Sequence, residues 1–100
     1  MRENSQPTRV KLREFRQNGS LSLLDAYQAE NGDLVLEGYD RGPDVAAQFG
    51  DSDYEYWRRV RKEHVPRVLL ELIKDRFDSD VKFHEWLQAK GIPDEFSSWT

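Results

Sequence analysis

The sequence predicts an α+β fold, an antiparallel sheet of about four strands (a β-meander plus a fourth strand) with two C-terminal helices packed on one face. Three observations carry that expectation. Two Asn-Gly pairs, Asn18-Gly19 and Asn31-Gly32, are flanked by strand-like residues. The segment from Asp53 to Val60 alternates in polarity. Apolar residues then recur at helical spacing from Val65 to Leu87.

Asn-Gly is the preferred filling of a two-residue type I′ hairpin, because both central positions need positive φ. Two such turns predict a meander over residues 9–17, 20–30 and 33–40. Gly42-Pro43 marks a corner, and Val45, Ala46 and Phe49 then suit a short helical turn that Gly50 ends. Tyr54, Tyr56 and Val60 would share one side of a fourth strand, with Glu55, Trp57 and Arg59 on the other. Val65, Val68, Leu69, Leu72, Ile73 and Phe77 predict a first helix, with Pro66 in the turn that tolerates it. A second helix would follow the caps offered by Asp78, Ser79 and Asp80 and stop at Gly91.

Two-residue turns also set a register. Leu12 should face Asp25, and Asp25 should face Gly38. One face then carries Val10, Leu12, Glu14, Leu21, Leu23, Asp25, Tyr27, Leu34, Leu36, Gly38 and Asp40, and its aliphatic content marks it as the core side. The other carries Lys11, Arg13, Phe15, Leu24, Val35, Glu37 and Tyr39. The expected core is Leu12, Leu21, Leu23, Leu36, Tyr54, Tyr56, Val68, Leu69, Leu72, Ile73, Phe83 and Leu87.

One hundred residues suit one domain, read as 9–100 behind a flexible arm at 1–8. The 12% aromatic content supplies large buried area and argues against disorder. With no cysteine there is no disulfide framework or thiolate site, which fits a reducing cytoplasm. No apolar run is long enough for a membrane span, and the first residues lack a signal-peptide core. A net charge of −4 disfavours general affinity for nucleic acid or anionic lipid.

Three clusters are candidates for chemistry. Asp40, Asp44, Asp51, Asp53 and Glu55 belong to a stretch, Glu30 to Glu55, in which eight acids oppose one base, Arg41. Charge of one sign on a loop steers association with a basic partner. Lys11, Arg13, Phe15, Tyr39 and Trp57 would lie together on the open sheet face, where cations among aromatic rings suit single-stranded nucleic acid. Glu14, Asp25 and Asp40 would form an acidic row able to hold a divalent cation or share acid–base work. The two histidines, His64 and His84, match no metal-ligand spacing, and no serine sits in a GxSxG context.

The run EGYDRGP, followed by FGDSDYEYW, an amphipathic helix and a short tail, resembles a family of small bacterial proteins of uncharacterised function. The likeness covers the chain from about Leu21 onward. It implies a bacterial, cytosolic, single-domain protein, and it carries no catalytic residue over.

The sequence therefore points to a small non-enzymatic domain, with no cofactor or metal, that binds another protein through the acidic loop. Single-stranded nucleic acid binding is the alternative, and a metal-dependent enzyme the third reading.

Overall fold

The computed structural model describes residues 8–43 and 53–99. The chain forms two compact units, Met1–Pro66 and Arg67–Thr100. In the first, β1 (Arg9–Gln17), β2 (Ser20–Gln28), β3 (Leu34–Arg41) and β4 (Asp53–Val60) make one antiparallel sheet in the order β1-β2-β3-β4. A 3-10 turn, Lys62–His64, follows β4. Two helices come next, α1 (Val65–Arg76) and α2 (Asp80–Ala89). This is the α+β class expected. None of the described helices is long and apolar enough to cross a membrane. Of the arm expected at 1–8, residues 1–7 lie outside the described residues. So do Asp44, Asp51 and the helical turn expected around Val45, Ala46 and Phe49.

The first hairpin is the one the sequence predicts. Asn18 and Gly19 both have positive φ, 54° and 81°, and Gln17 faces Ser20. The register holds as far as Arg13 opposite Leu24, and then Lys11 faces Asp25, so Leu12 is an extra residue. Such a bulge reverses the facing of everything beyond it. Leu12 is therefore 53% exposed instead of sitting in the core.

The second hairpin departs from expectation. Gln28 faces Leu34 across a five-residue connection, Ala29 to Asp33. Asn31 does not take positive φ. Its side-chain Oδ1 accepts the Asp33 N–H at 3.0 Å, while the Gly32 N–H reaches Ala29 O at 2.9 Å. The local hydrogen bond of the asparagine replaces the two-residue turn. Every β2–β3 pair moves by one residue, and Asp25 faces Glu37 while Leu24 faces Gly38.

The faces are thus reshuffled. One carries Arg9, Lys11, Glu14, Leu23, Asp25, Tyr27, Val35, Glu37, Tyr39, Glu55, Trp57 and Arg59. The opposite face carries Val10, Arg13, Phe15, Ser22, Leu24, Ala26, Leu36, Gly38, Asp40, Tyr54, Tyr56 and Arg58. Val35, expected on the open face, is the one fully buried hydrophobic among the described residues. Tyr54 and Tyr56 do share a side, opposite Trp57, as the alternation predicts. Their rings stack with centroids 5.3 Å apart.

Gly38 lies opposite Tyr56, and a Cβ there would run into the Tyr56 ring. The ring fills the space that the glycine leaves, a cross-strand pairing that also pins the β3–β4 register. Tyr56 is held from its other end by Arg13, whose Nη2 donates to the phenol oxygen at 2.9 Å.

In the second unit, Ser79 caps α2 by accepting the Lys82 N–H at 3.3 Å. At the far end the N–H groups of Gly91 and Ile92 reach back to Gln88 O and Leu87 O, at 3.0 and 2.9 Å. These paired bonds satisfy the last carbonyls and turn the chain sharply. Phe77, Phe83 and Trp86 form an aromatic cluster, with Phe77 edge-on to both partners at 5.3 and 5.8 Å. Leu69 and Leu72, expected in the core, are 57% and 61% exposed.

Replacing Gly38 by alanine should cost about 1–3 kcal/mol, because the Tyr56 ring has to leave its position. Urea midpoints measure the loss. In a Tyr56→Ala background the same substitution should cost less than half as much.

Candidate functional site

Two polar constellations emerge on the first face of the sheet. At the edge of the second hairpin lies Asp33, an aspartate with only 1% of its surface exposed. Its Oδ2 receives Arg59 Nη1 at 2.8 Å and Asn31 Nδ2 at 3.3 Å, and its Oδ1 receives the Lys62 backbone N–H at 2.8 Å. Arg61 Nη1 adds a weaker approach at 3.6 Å. Arg59 holds the carboxyl below the usual aspartate range, burial pulls it up, and the Lys62 N–H and Asn31 push it down again. The net effect is a carboxylate that joins the β2–β3 connection to the end of β4.

The second constellation is a charged row across the middle of the sheet. Arg9 Nη1 bridges Asp25 Oδ2 at 2.8 Å and Glu37 Oε1 at 2.9 Å, and its guanidinium lies 4.3 Å over the Tyr27 ring. Lys11 Nζ stands 2.9 Å from Asp25 Oδ1. Arg9 and Lys11 thus each take one oxygen of the Asp25 carboxylate. Trp57 Nε1 donates to Glu37 Oε2 at 3.0 Å. Lys11 and then Arg9 lower the Asp25 pKa, while Trp57 and then Arg9 lower that of Glu37. The two acids raise that of Arg9. Both carboxylates are thereby kept ionised, which suits a structural anchor and not a proton donor at neutral pH.

The opposite face has its own chain of contacts. Asp40 Oδ1 accepts the Ser22 hydroxyl at 2.7 Å, and Ser22 Oγ accepts Arg13 Nε at 3.0 Å. Arg13 goes on to Tyr56.

These placements revise the three expected clusters. The acidic row of Glu14, Asp25 and Asp40 is broken up. Asp40 sits on the opposite face, Asp25 is taken by Arg9 and Lys11, and Glu14 pairs with Arg16 at 3.1 Å. Among the described residues no three His, Cys, Asp or Glu side chains stand where they could share a metal ion. The open-face set is divided as well, with Lys11, Tyr39 and Trp57 on one face and Arg13 and Phe15 on the other. The Leu12 bulge and the longer second connection cause both outcomes, since each shifts side chains by one position. Of the acidic-loop residues, Asp40 and Glu55 lie on opposite faces near the end of the sheet, and Asp53 begins β4. Asp44 and Asp51 are outside the described residues.

Sequence reasoning did not single out Arg9, which the expected register put on the face of Glu37 but opposite to that of Asp25. The signal was present in the cations at Arg9 and Lys11, spaced by two like Asp25 and Tyr27, but the bulge hid which side they share.

In the second unit an apolar groove of about 510 Å³ is lined by Leu69, Leu72, Ile73, Phe83, Trp86 and Leu87, among others. Beside it in sequence, His84 Nδ1 lies 2.7 Å from Asp94 Oδ2.

No known protein family, curated protein or solved structure matches this chain.

The depressed Asp33 pKa has a defined consequence for stability. The carboxylate contributes fully above the unfolded-state value, near pH 4, and that contribution disappears as pH falls through the lower folded value. Thermal midpoints of the native chain should therefore fall as the pH drops below about 4. Asp33→Ala should lower the neutral-pH midpoint by roughly 10 °C and flatten that acid dependence. A second test addresses the charged row. Removing Arg9 by Arg9→Ala should raise the Asp25 and Glu37 pKa values together, as followed by carboxyl carbon NMR shifts.

Proposed function

We propose that this chain is a small non-enzymatic protein-interaction domain that meets a basic partner through its acidic β3–β4 segment. The observation that carries the reading is how the acids of that stretch are used. Asp33 and Glu37 face cations within the sheet unit. The acids around the connection are used differently. Among the described residues neither Asp40 nor Glu55 has an ion-pair partner, and Asp44, Asp51 and Asp53 add charge of the same sign within a dozen positions. A concentration of negative charge along this stretch favours a cationic surface and speeds its encounter.

The enzymatic alternatives draw less support. The best-organised carboxylates, Asp25, Asp33 and Glu37, are occupied by cations and backbone N–H groups. The nucleic-acid reading would need cations presented to solvent, and Arg9, Lys11 and Arg13 all turn back to side chains of the sheet.

The test is capture of partners from bacterial lysate by the tagged chain, with and without nuclease, against an Asp44→Lys, Asp51→Lys, Asp53→Lys variant. A basic protein retained after nuclease, and lost on the triple reversal and in high salt, is the expected result. A partner bound equally by the variant would refute the acidic segment as the contact. Material that vanishes with nuclease would move the assignment to nucleic acid.

A further inference from the structure

The sheet has two edges, and they differ in chemistry. β1 carries Arg9, Lys11, Arg13 and Arg16 against a single acid, Glu14, and is interrupted by the Leu12 bulge. Excess like charge and a bulge are devices that discourage another strand from adding to an edge. β4 is an unbulged run, DYEYWRRV, paired residue by residue with β3 and with no other strand among the described residues. From Glu55 to Val60 its outward N–H and C=O groups make no backbone hydrogen bond to the described residues.

The order of side chains along β4 is complementary to its own reverse. In an antiparallel pair of identical strands, each outward-pointing residue must meet another outward-pointing one, so the two-fold axis passes through a residue and not between two. With the axis at Trp57, Glu55 faces Arg59, Tyr56 faces Arg58 and Tyr54 faces Val60, each twice, and Trp57 meets its own copy. Opposite charges, a cation beside an aromatic ring and an aromatic beside a β-branched residue are all favourable cross-strand pairs. Moving the axis one residue toward the C-terminus sets Arg58 against itself. Moving it one the other way sets Glu55 against Trp57 and loses the Glu55–Arg59 match.

The Tyr56 ring lies inward over Gly38, but the residues of the central charged and aromatic pairs are exposed. Trp57 is 57% exposed although its indole N–H is held by Glu37. Glu55 is exposed and unpaired among the described residues. Arg59 uses one nitrogen for Asp33, and its side chain keeps 44% of its surface, leaving further N–H donors for a second carboxylate. Anchored by Asp33 and Glu37, Arg59 and Trp57 are already oriented, so pairing orders little that is not ordered beforehand.

We infer that β4 is a self-association edge, at which two copies of this chain join antiparallel around Trp57 into one continuous sheet. This edge shares Glu55 with the acidic segment proposed above, but the inference does not depend on that reading.

The natural absence of cysteine makes the register testable with single thiols. Directly opposed residues of an antiparallel pair have Cα atoms about 4.5–5.5 Å apart, within the span of a disulfide. Under mild oxidation Trp57→Cys should give a covalent dimer, whereas Glu55→Cys and Val10→Cys, which do not face their own copies, should stay monomeric. Sedimentation equilibrium of the unmodified chain should show a monomer–dimer equilibrium between micromolar and millimolar concentration. Glu55→Arg, a surface change that sets arginine against Arg59, should raise the dissociation constant by about tenfold or more. A strictly monomeric native chain at millimolar concentration would overturn the inference. So would a dimer that Glu55→Arg leaves intact, or cross-linking no faster at position 57 than at 55 and 10.

Discussion

The contact on which the sheet unit depends is the buried carboxylate of Asp33. A charge taken out of water has to be matched by nearby donors, and here they come from Arg59, Asn31 and the Lys62 backbone N–H. Meeting that demand dictates much else. The second hairpin must be long enough to tuck Asp33 inward, so Asn31 turns its side chain to the backbone and the connection lengthens to five residues. The end of β4 must come alongside, which places the 3-10 turn against the same corner. Arg59 must point to this face, and alternation then sends Trp57 and Glu55 there too.

The register that follows decides the electrostatics of the sheet. With Asp25 opposite Glu37, two carboxylates would repel unless a cation stood between them, and Arg9 does so. Lys11 and the Trp57 indole take up the outer oxygens. The row is closed upon itself. An arrangement of that kind holds strands in place across the sheet and offers little to a substrate, which is why the functional reading rests on the acids outside it.

Much of this architecture was legible in the sequence, and the parts that were not have physical reasons. Asn18-Gly19 could be read correctly because nothing competes with its backbone preference, whereas in Asn31-Gly32 the side chain found a nearby N–H and won over the tight turn. Leu12 looked like a core residue because its neighbours alternate, and a bulge leaves no mark in residue type. The alternation of β4 was right because it needs no partner to define it, although Tyr54, expected in the core, is 38% exposed on the open sheet. The candidate clusters failed together, since each assumed that faces remain matched across three strands. One extra residue in a connection and one in a strand were enough to separate Glu14 and Asp25 from Asp40, and Lys11 from Arg13.

The meander has a bearing on the order in which this unit assembles. Each strand pairs with its neighbour in sequence, and the first hairpin closes over only two residues, so its loop-closure entropy is small. The bond from Asp33 to the Lys62 N–H spans 29 positions and needs β4 already in place. On entropic grounds the tight β1–β2 hairpin is expected to belong to the folding nucleus, with the Asp33 corner consolidating after the rate-limiting step. Weakening that corner would then act chiefly on how quickly the native state is lost, leaving the speed of its formation nearly unchanged.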